Sequence, residues 1–234
     1  MAVAVAGGVL ATVDNGVAQS AGVVLIVLGG WATSLCLHEF GHAITAFRGG
    51  DTEVRAKGYL TLDPRHYTDP VLSIVLPLLF VAIGGIPLPG GAVWINHWAL
   101  KGRRTESMVS LAGPATNLVL GLALTLAVAT VPMPDALAAG LSYLAFLQVI
   151  AFVLNMLPVP GLDGYGAIEP WLSHQAREFG AKARPWAPLI LFAVIIGIPF
   201  AGSVFFDLAF SVFDLVGGDQ LSAAEGNSLF RFWE

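Results

Sequence analysis

The pentapeptide His38-Glu39-Phe40-Gly41-His42 closes an apolar run, Ala21 to Leu37, that contains no charged residue. A run of that length is a candidate membrane-spanning helix. Two imidazoles and a carboxylate are expensive in such a segment and are rare there unless they serve a function. On a helix, positions four apart share a face, so His38 and His42 can turn two ring nitrogens toward one metal ion. Glu39 lies about 100° further round, beside such an ion and free to act as a base on its water. The same spacing on an exposed soluble helix is often fortuitous, but inside a span its polarity must be compensated.

Composition supports the membrane reading. Of 234 residues, 56% are hydrophobic and 12% charged, with a mean hydropathy of +0.76. A soluble domain carries about 25% charged residues. The expectation is an all-α multi-pass membrane protein of five to six spans in a lipid bilayer. The net charge of -5 forms no basic stripe, so nucleic acid is not an expected partner. Cys36 is the only cysteine, which excludes an intramolecular disulfide. It lies two residues from His38, off the metal-facing side, where a small packing residue fits. Met1 to Val13 is apolar without Lys or Arg, unlike a signal peptide, and is expected as a short helix or strand against the bundle.

Along the chain, the first span covers about 17–47 and ends at Arg48-Gly49-Gly50. At about 1.5 Å per residue, His38 lies roughly 15 Å inside that end. A polar, turn-rich connection, 50–70, precedes an apolar segment, 71–86. Gly84 to Ile95 holds two Pro and four Gly before Val93, too many for a helix. Further spans are expected over 108–131, 137–157 and 188–206, with 207–216 a short crossing or an interfacial segment. Lys and Arg prefer the cytoplasmic side. A re-entrant Pro/Gly hairpin places every Lys and Arg but Arg231 on that side, which puts the metal nearer the cytoplasm. Irregular backbone at membrane depth must be buried in protein or line a wet cavity. Such an extended edge could bind a substrate as an added strand. His66, His97 and His174 neighbour aromatic residues and read as interfacial; Asp207 and Asp214 read as the wet ends of an apolar run. The whole chain, 1–234, is expected to form one membrane-embedded domain, with a core at about 17–170 and C-terminal helices over 187–216.

Two His do not complete a catalytic zinc site, which usually takes three protein ligands and keeps one position for water. The span over 137–157 runs into Asn155-Met156-Leu157-Pro158-Val159-Pro160-Gly161-Leu162-Asp163-Gly164. Pro and Gly stop the helix, and Asp163 follows at its frayed end. Asp163 either meets the two imidazoles or simply shapes a Leu-Asp-Gly turn. An Asn within a span, such as Asn117, reads first as a helix-packing or substrate-positioning group.

H-E-x-x-H in one span with Asn155-x-x-Pro158-x-Pro160-x-x-Asp163-Gly164 at the end of a later one resembles the site-2 protease family of intramembrane zinc metalloproteases. The resemblance extends to Gly58-Tyr59-Leu60-Thr61-Leu62-Asp63-Pro64, to Thr68-Asp69-Pro70 and to Ala112-Gly113-Pro114-Ala115-Thr116-Asn117, roughly residues 30 to 170. It implies one Zn²⁺ per chain on His38, His42 and Asp163, with Glu39 as general base and acid. Asn155 is implied either as an oxyanion donor or as an interhelical hydrogen-bonding group. It implies regulated intramembrane proteolysis at the plasma membrane, on single-span proteins such as anti-sigma factors or signal-peptide remnants. The hairpin departs from the family's usual G-W-A-K-P-V-P-like stretch, and the PDZ or CBS domains of many members are not found in these residues. A metal transporter or a non-catalytic helix-binding relative could also hold His and Asp in a bundle. The base beside the metal pair favours the hydrolase. Oligomeric state is not encoded in any of these features.

Overall fold

The computed structural model describes residues 1–63 and 94–233. Segment 71–86, His66 and all of the hairpin except Trp94 and Ile95 lie outside the described residues. Every regular element among the described residues is helical.

The N-terminal apolar stretch is a helix, α1 (Ala2–Ala11). It folds back on α2 (Gly16–Gly49), which starts where the Asn15 side chain accepts the Ala18 N–H at 3.1 Å. Glycines make the contact. A Cβ on Gly22 would strike the Ala11 nitrogen and approach the Gly7 carbonyl oxygen to 2.7 Å, and one on Gly29 would lie 2.7 Å from the Ala4 nitrogen. In lipid, helices associate through close packing rather than apolar transfer, so small residues mark their seams. Gly22→Ala should therefore cost about 1–3 kcal/mol through overpacking against backbone. The expected readout is a lowered thermal midpoint in detergent with zinc content unchanged, because α1 does not reach His38.

α2 ends at Gly50, whose φ of 121° suits glycine alone, with Arg48 in the last turn. Asp51, fully buried, then accepts the Glu53 N–H at 3.0 Å and the Asn96 N–H at 2.7 Å. Asn96 also donates to Glu53, and Lys57 sits 3.5 Å over the Trp94 ring. The Asn96 amide, and then Lys57, hold the Glu53 carboxyl below the ordinary carboxylate range. These contacts tie 94–96 to α3 (Glu53–Ala56) at the C-terminal end of α2.

α4 (Arg103–Thr130) and α5 (Asp135–Asn155) follow. Among the described residues, α2, α4 and α5 are the helices individually long and apolar enough to cross a membrane. α5 is the central post: from Ser142 to Ile150 most side chains are buried, among them Leu147, Gln148 and Ile150 at 0 to 1% exposure. α4 exposes Met108, Leu111, Val119, Leu122 and Leu126, an apolar face suited to lipid.

After α5 come the short α6 (Asp163–Ile168), then α7 (His174–Ala183), α8 (Ala187–Gly197), α9 (Pro199–Leu215) and α10 (Gln220–Phe230). The expected straight span over 188–206 is broken at Ile198-Pro199, because Pro199 cannot continue the ladder of α8 and starts α9 instead. α7 with α8 and α9 with α10 form pairs bent by 66° and 119°, and the described residues supply up to five spans if each pair is one crossing. Asp207 and Asp214, which flank the apolar run 208–213, both lie within α9 and are both exposed. Phe205, Ala209 and Phe213 of α9 pack on α5, with Phe146 stacked against Phe210 at 4.7 Å.

Candidate metal centre

The helical repeat of α2 puts His38 and His42 one turn apart, with Nε2 atoms separated by 3.1 Å and rings crossed at 78°. Asp163 arrives from the far end of α5. The chain turns there through Pro158, Pro160 and Gly161, whose φ of 100° only glycine adopts freely. A Cβ on Gly164 would collide with the Met156 carbonyl, so the glycine after Asp163 lets α6 fold tightly against the end of α5. The carboxylate lies 3.2 Å from His38 Nε2 through one oxygen and 3.4 Å from His42 Nε2 through the other.

These separations test whether the group fits a metal. Zinc with nitrogen and oxygen ligands at about 2.0–2.1 Å in a tetrahedron sets ligand atoms about 3.3 Å apart. The 3.1 Å between the two Nε2 atoms is close to that edge length, and each Nε2 has one Asp163 oxygen near it, Oδ2 at 3.2 Å from His38 and Oδ1 at 3.4 Å from His42. The outer ring nitrogens agree. His42 Nδ1 lies 2.7 Å from the Val109 carbonyl oxygen, a pure acceptor, so it carries the proton. His38 Nδ1 lies 2.5 Å from Asn117 Oδ1 and donates likewise. Both Nε2 lone pairs therefore face each other and a carboxylate, an arrangement that a shared cation resolves. Among the described residues, His38, His42 and Asp163 are the group able to hold a metal.

α4 closes the back of the site. Gly113 abuts the histidines: a Cβ there would overlap His42 Nε2 and lie 2.5 Å from His38 Nε2. Gly41, between the histidines, faces Thr116 Oγ1 at 2.7 Å and the Ala112 carbonyl at 2.9 Å by the same measure. Pro114 interrupts the α4 ladder at this level. The network then runs on: Asn117 Nδ2 donates to Gln148 Oε1 at 2.9 Å, and Gln148 Nε2 donates to Ser34 Oγ at 3.0 Å.

In front, a cavity of about 640 Å³ is lined by His38, Glu39, His42, Asn155 and Asp163. Glu39 and Asn155 are 4% and 6% exposed. The cavity continues past Asp163 to Glu106, Glu169, Arg177 and Arg184, a polar mouth where Arg184 donates to Glu169 at 2.8 Å. His97 also lines it, whereas His174 is exposed beside Glu178. Cys36 packs with Ala43 and Ala46, away from this cavity. The five residues singled out by sequence thus gather at one cavity. The sequence motifs did not single out Gln148 or Ser34, and they held Gly113 without weighing it alone. Gln148 carried a signal, a lone amide in the middle of an apolar span; Ser34 lies four residues before His38 on the same helical face.

No family profile and no solved structure matches the chain. Among individual proteins, Rip2 of Mycobacterium tuberculosis, named as a zinc metalloprotease, is 47% identical over 232 residues, covering 97% of this chain and 89% of that protein. Rip2 of Mycolicibacterium smegmatis is 47% identical, with 100% and 91% coverage. YwhC of Bacillus subtilis, also named as a zinc metalloprotease, is 32% identical over 73% of this chain and 80% of its own length. With an apolar helical bundle, a His-His-Asp group able to hold a metal ion and relatives of this kind over nearly its full length, the chain belongs to the small site-2 protease-like family of zinc metalloproteases.

Proposed function

We propose that this metalloprotease is an intramembrane endopeptidase, one membrane-embedded domain over 1–234, cutting peptide bonds within or near transmembrane segments of other membrane proteins. His38, His42 and Asp163 would hold one Zn²⁺. The observation that carries the reading is the set of ligand separations inside a bundle whose cavity also holds Glu39. The metal would supply a bound water of pKa near 7 and polarise the scissile carbonyl. Glu39 takes the water's proton on its carboxylate as the new C–O bond forms, then delivers it to the leaving nitrogen as the C–N bond breaks. Asn155, at the cavity wall, donates from Nδ2 to the carbonyl oxygen as it gains charge. The polar mouth at Glu106, Glu169, Arg177 and Arg184 admits water to a centre enclosed by apolar helices.

The substrates fitting this geometry are single-span proteins, with anti-sigma factors and signal-peptide remnants as the family-based candidates. The enzyme is placed in the plasma membrane with its centre nearer the cytoplasmic face, the side its basic loops favour. The test is purification in detergent, metal analysis, and incubation with single-span substrates. One zinc per chain and cleavage that stops on chelation and returns with zinc are expected. Zinc without cleavage of any membrane segment, alongside cleavage of soluble unfolded peptides, would overturn the intramembrane reading.

A further inference from the structure

Ser34, Asn117 and Gln148 are 4%, 2% and 1% exposed and come from α2, α4 and α5 respectively. Polar side chains buried at this depth are costly unless bonded. Here they form one line: Trp31 carbonyl, Ser34, Gln148, Asn117, His38. An isolated amide can exchange its oxygen and nitrogen ends, because the two are alike in shape. In this line the ends are fixed by where it terminates. The Trp31 carbonyl can only accept, and the Ser34 hydroxyl, 2.8 Å away, gives it its single proton. Ser34 Oγ must then accept from Gln148 Nε2. That leaves Gln148 Oε1 to accept from Asn117 Nδ2, and Asn117 Oδ1 to accept from His38 Nδ1–H. Donation runs unbroken from the His38 imidazole through Asn117, Gln148 and Ser34 to the Trp31 backbone carbonyl.

We propose that Gln148, backed by Ser34, is a positioning residue that fixes which end of the Asn117 amide faces His38, and so holds the imidazole with its Nε2 lone pair toward the metal. Without Gln148, Asn117 can turn its NH₂ to His38. The ring would then favour the proton on Nε2, where the metal must bind. Partners beyond the ligands themselves typically change metal affinity or activity by about 10–100-fold. This inference rests on the proposed zinc site.

The test compares the purified full chain with Gln148→Met, Gln148→Glu and Ser34→Ala, each loaded with zinc or with cobalt as a spectroscopic stand-in. Gln148→Met keeps the side chain's length but cannot bond Asn117. It should weaken zinc binding about 10–100-fold, shift the visible cobalt bands, and lower kcat more than it raises KM. Gln148→Glu still offers Asn117 an acceptor, whether charged or protonated, and should restore zinc affinity and the cobalt spectrum toward wild type. Ser34→Ala should fall between the two. Wild-type zinc affinity and an unshifted cobalt spectrum in Gln148→Met would overturn the proposal. Equal loss in Gln148→Met and Gln148→Glu, together with a lowered melting point, would show packing alone and would also overturn it. Failure of the protease reading shows separately, as wild-type protein that binds zinc and cuts nothing, and it leaves the affinity and spectral comparison intact. Wild-type protein that takes up no zinc would end both.

Discussion

Gly113→Ala is expected to empty the metal centre while leaving the helical bundle standing. The added Cβ would overlap His42 Nε2 and sit 2.5 Å from His38 Nε2 and 2.7 Å from His38 Cε1. Carbon and nitrogen atoms pack comfortably only at about 3.5–4.0 Å. The rings cannot swing away freely, because Asn117 and the Val109 carbonyl hold their Nδ1 atoms. α4 cannot retreat without opening the seam at Gly41, where Thr116 and Ala112 meet α2. The imidazoles must therefore leave the tetrahedral positions, and zinc should fall from one per chain to a small fraction, with proteolysis lost. Helix propensity works in the opposite direction, since Ala is better than Gly in a helix interior by about 1 kcal/mol. Circular dichroism should thus be unchanged while metal analysis collapses. A variant that keeps stoichiometric zinc and activity would show that α4 does not pack against the histidines as described.

That prediction depends on a residue that sequence reading left within a motif and did not weigh alone. The three longest spans were legible, because uninterrupted apolar runs longer than a bilayer's hydrocarbon core admit few other structures. The His38–His42 pair was legible because helical spacing is local. Asp163 was legible only as one of two readings, since meeting the imidazoles depends on how α5 packs beside α2. The C-terminal half was misjudged at Ile198-Pro199, where hydropathy runs smoothly across a break that one proline imposes. The network from Ser34 to His38 could not be read as a connected line, although Gln148 alone carried a signal. Its members are 34, 117, 148 and 38 in the chain, and nothing local says that three helices turn those positions to a common line. Gly113 is similar: its role is the space it leaves for side chains of another helix, which no property of its own stretch records.

Glu39→Gln is expected to keep zinc at one per chain and to lower the rate of peptide-bond cleavage by about 10²–10⁴-fold, the contribution of a general base. The substitution preserves shape and hydrogen-bonding reach but removes the site that accepts the water's proton. The charge removed is not one of the three ligand groups, and His38, His42 and Asp163 keep their separations of 3.1, 3.2 and 3.4 Å. Zinc affinity should therefore move little, whereas Asp163→Ala, which deletes a ligand, should lose metal and activity together. The pair of variants separates chemistry from assembly. A bundle that moved metal ions across the membrane would keep doing so with Gln at position 39, because transport requires binding and release and no proton transfer to a leaving nitrogen. A Glu39→Gln protein that cuts single-span substrates at the wild-type rate would remove Glu39 from the mechanism and require another base on the cavity wall. The described wall has few alternatives: Glu106 and Glu169 line the cavity near its mouth, and Glu169 is already engaged by Arg184.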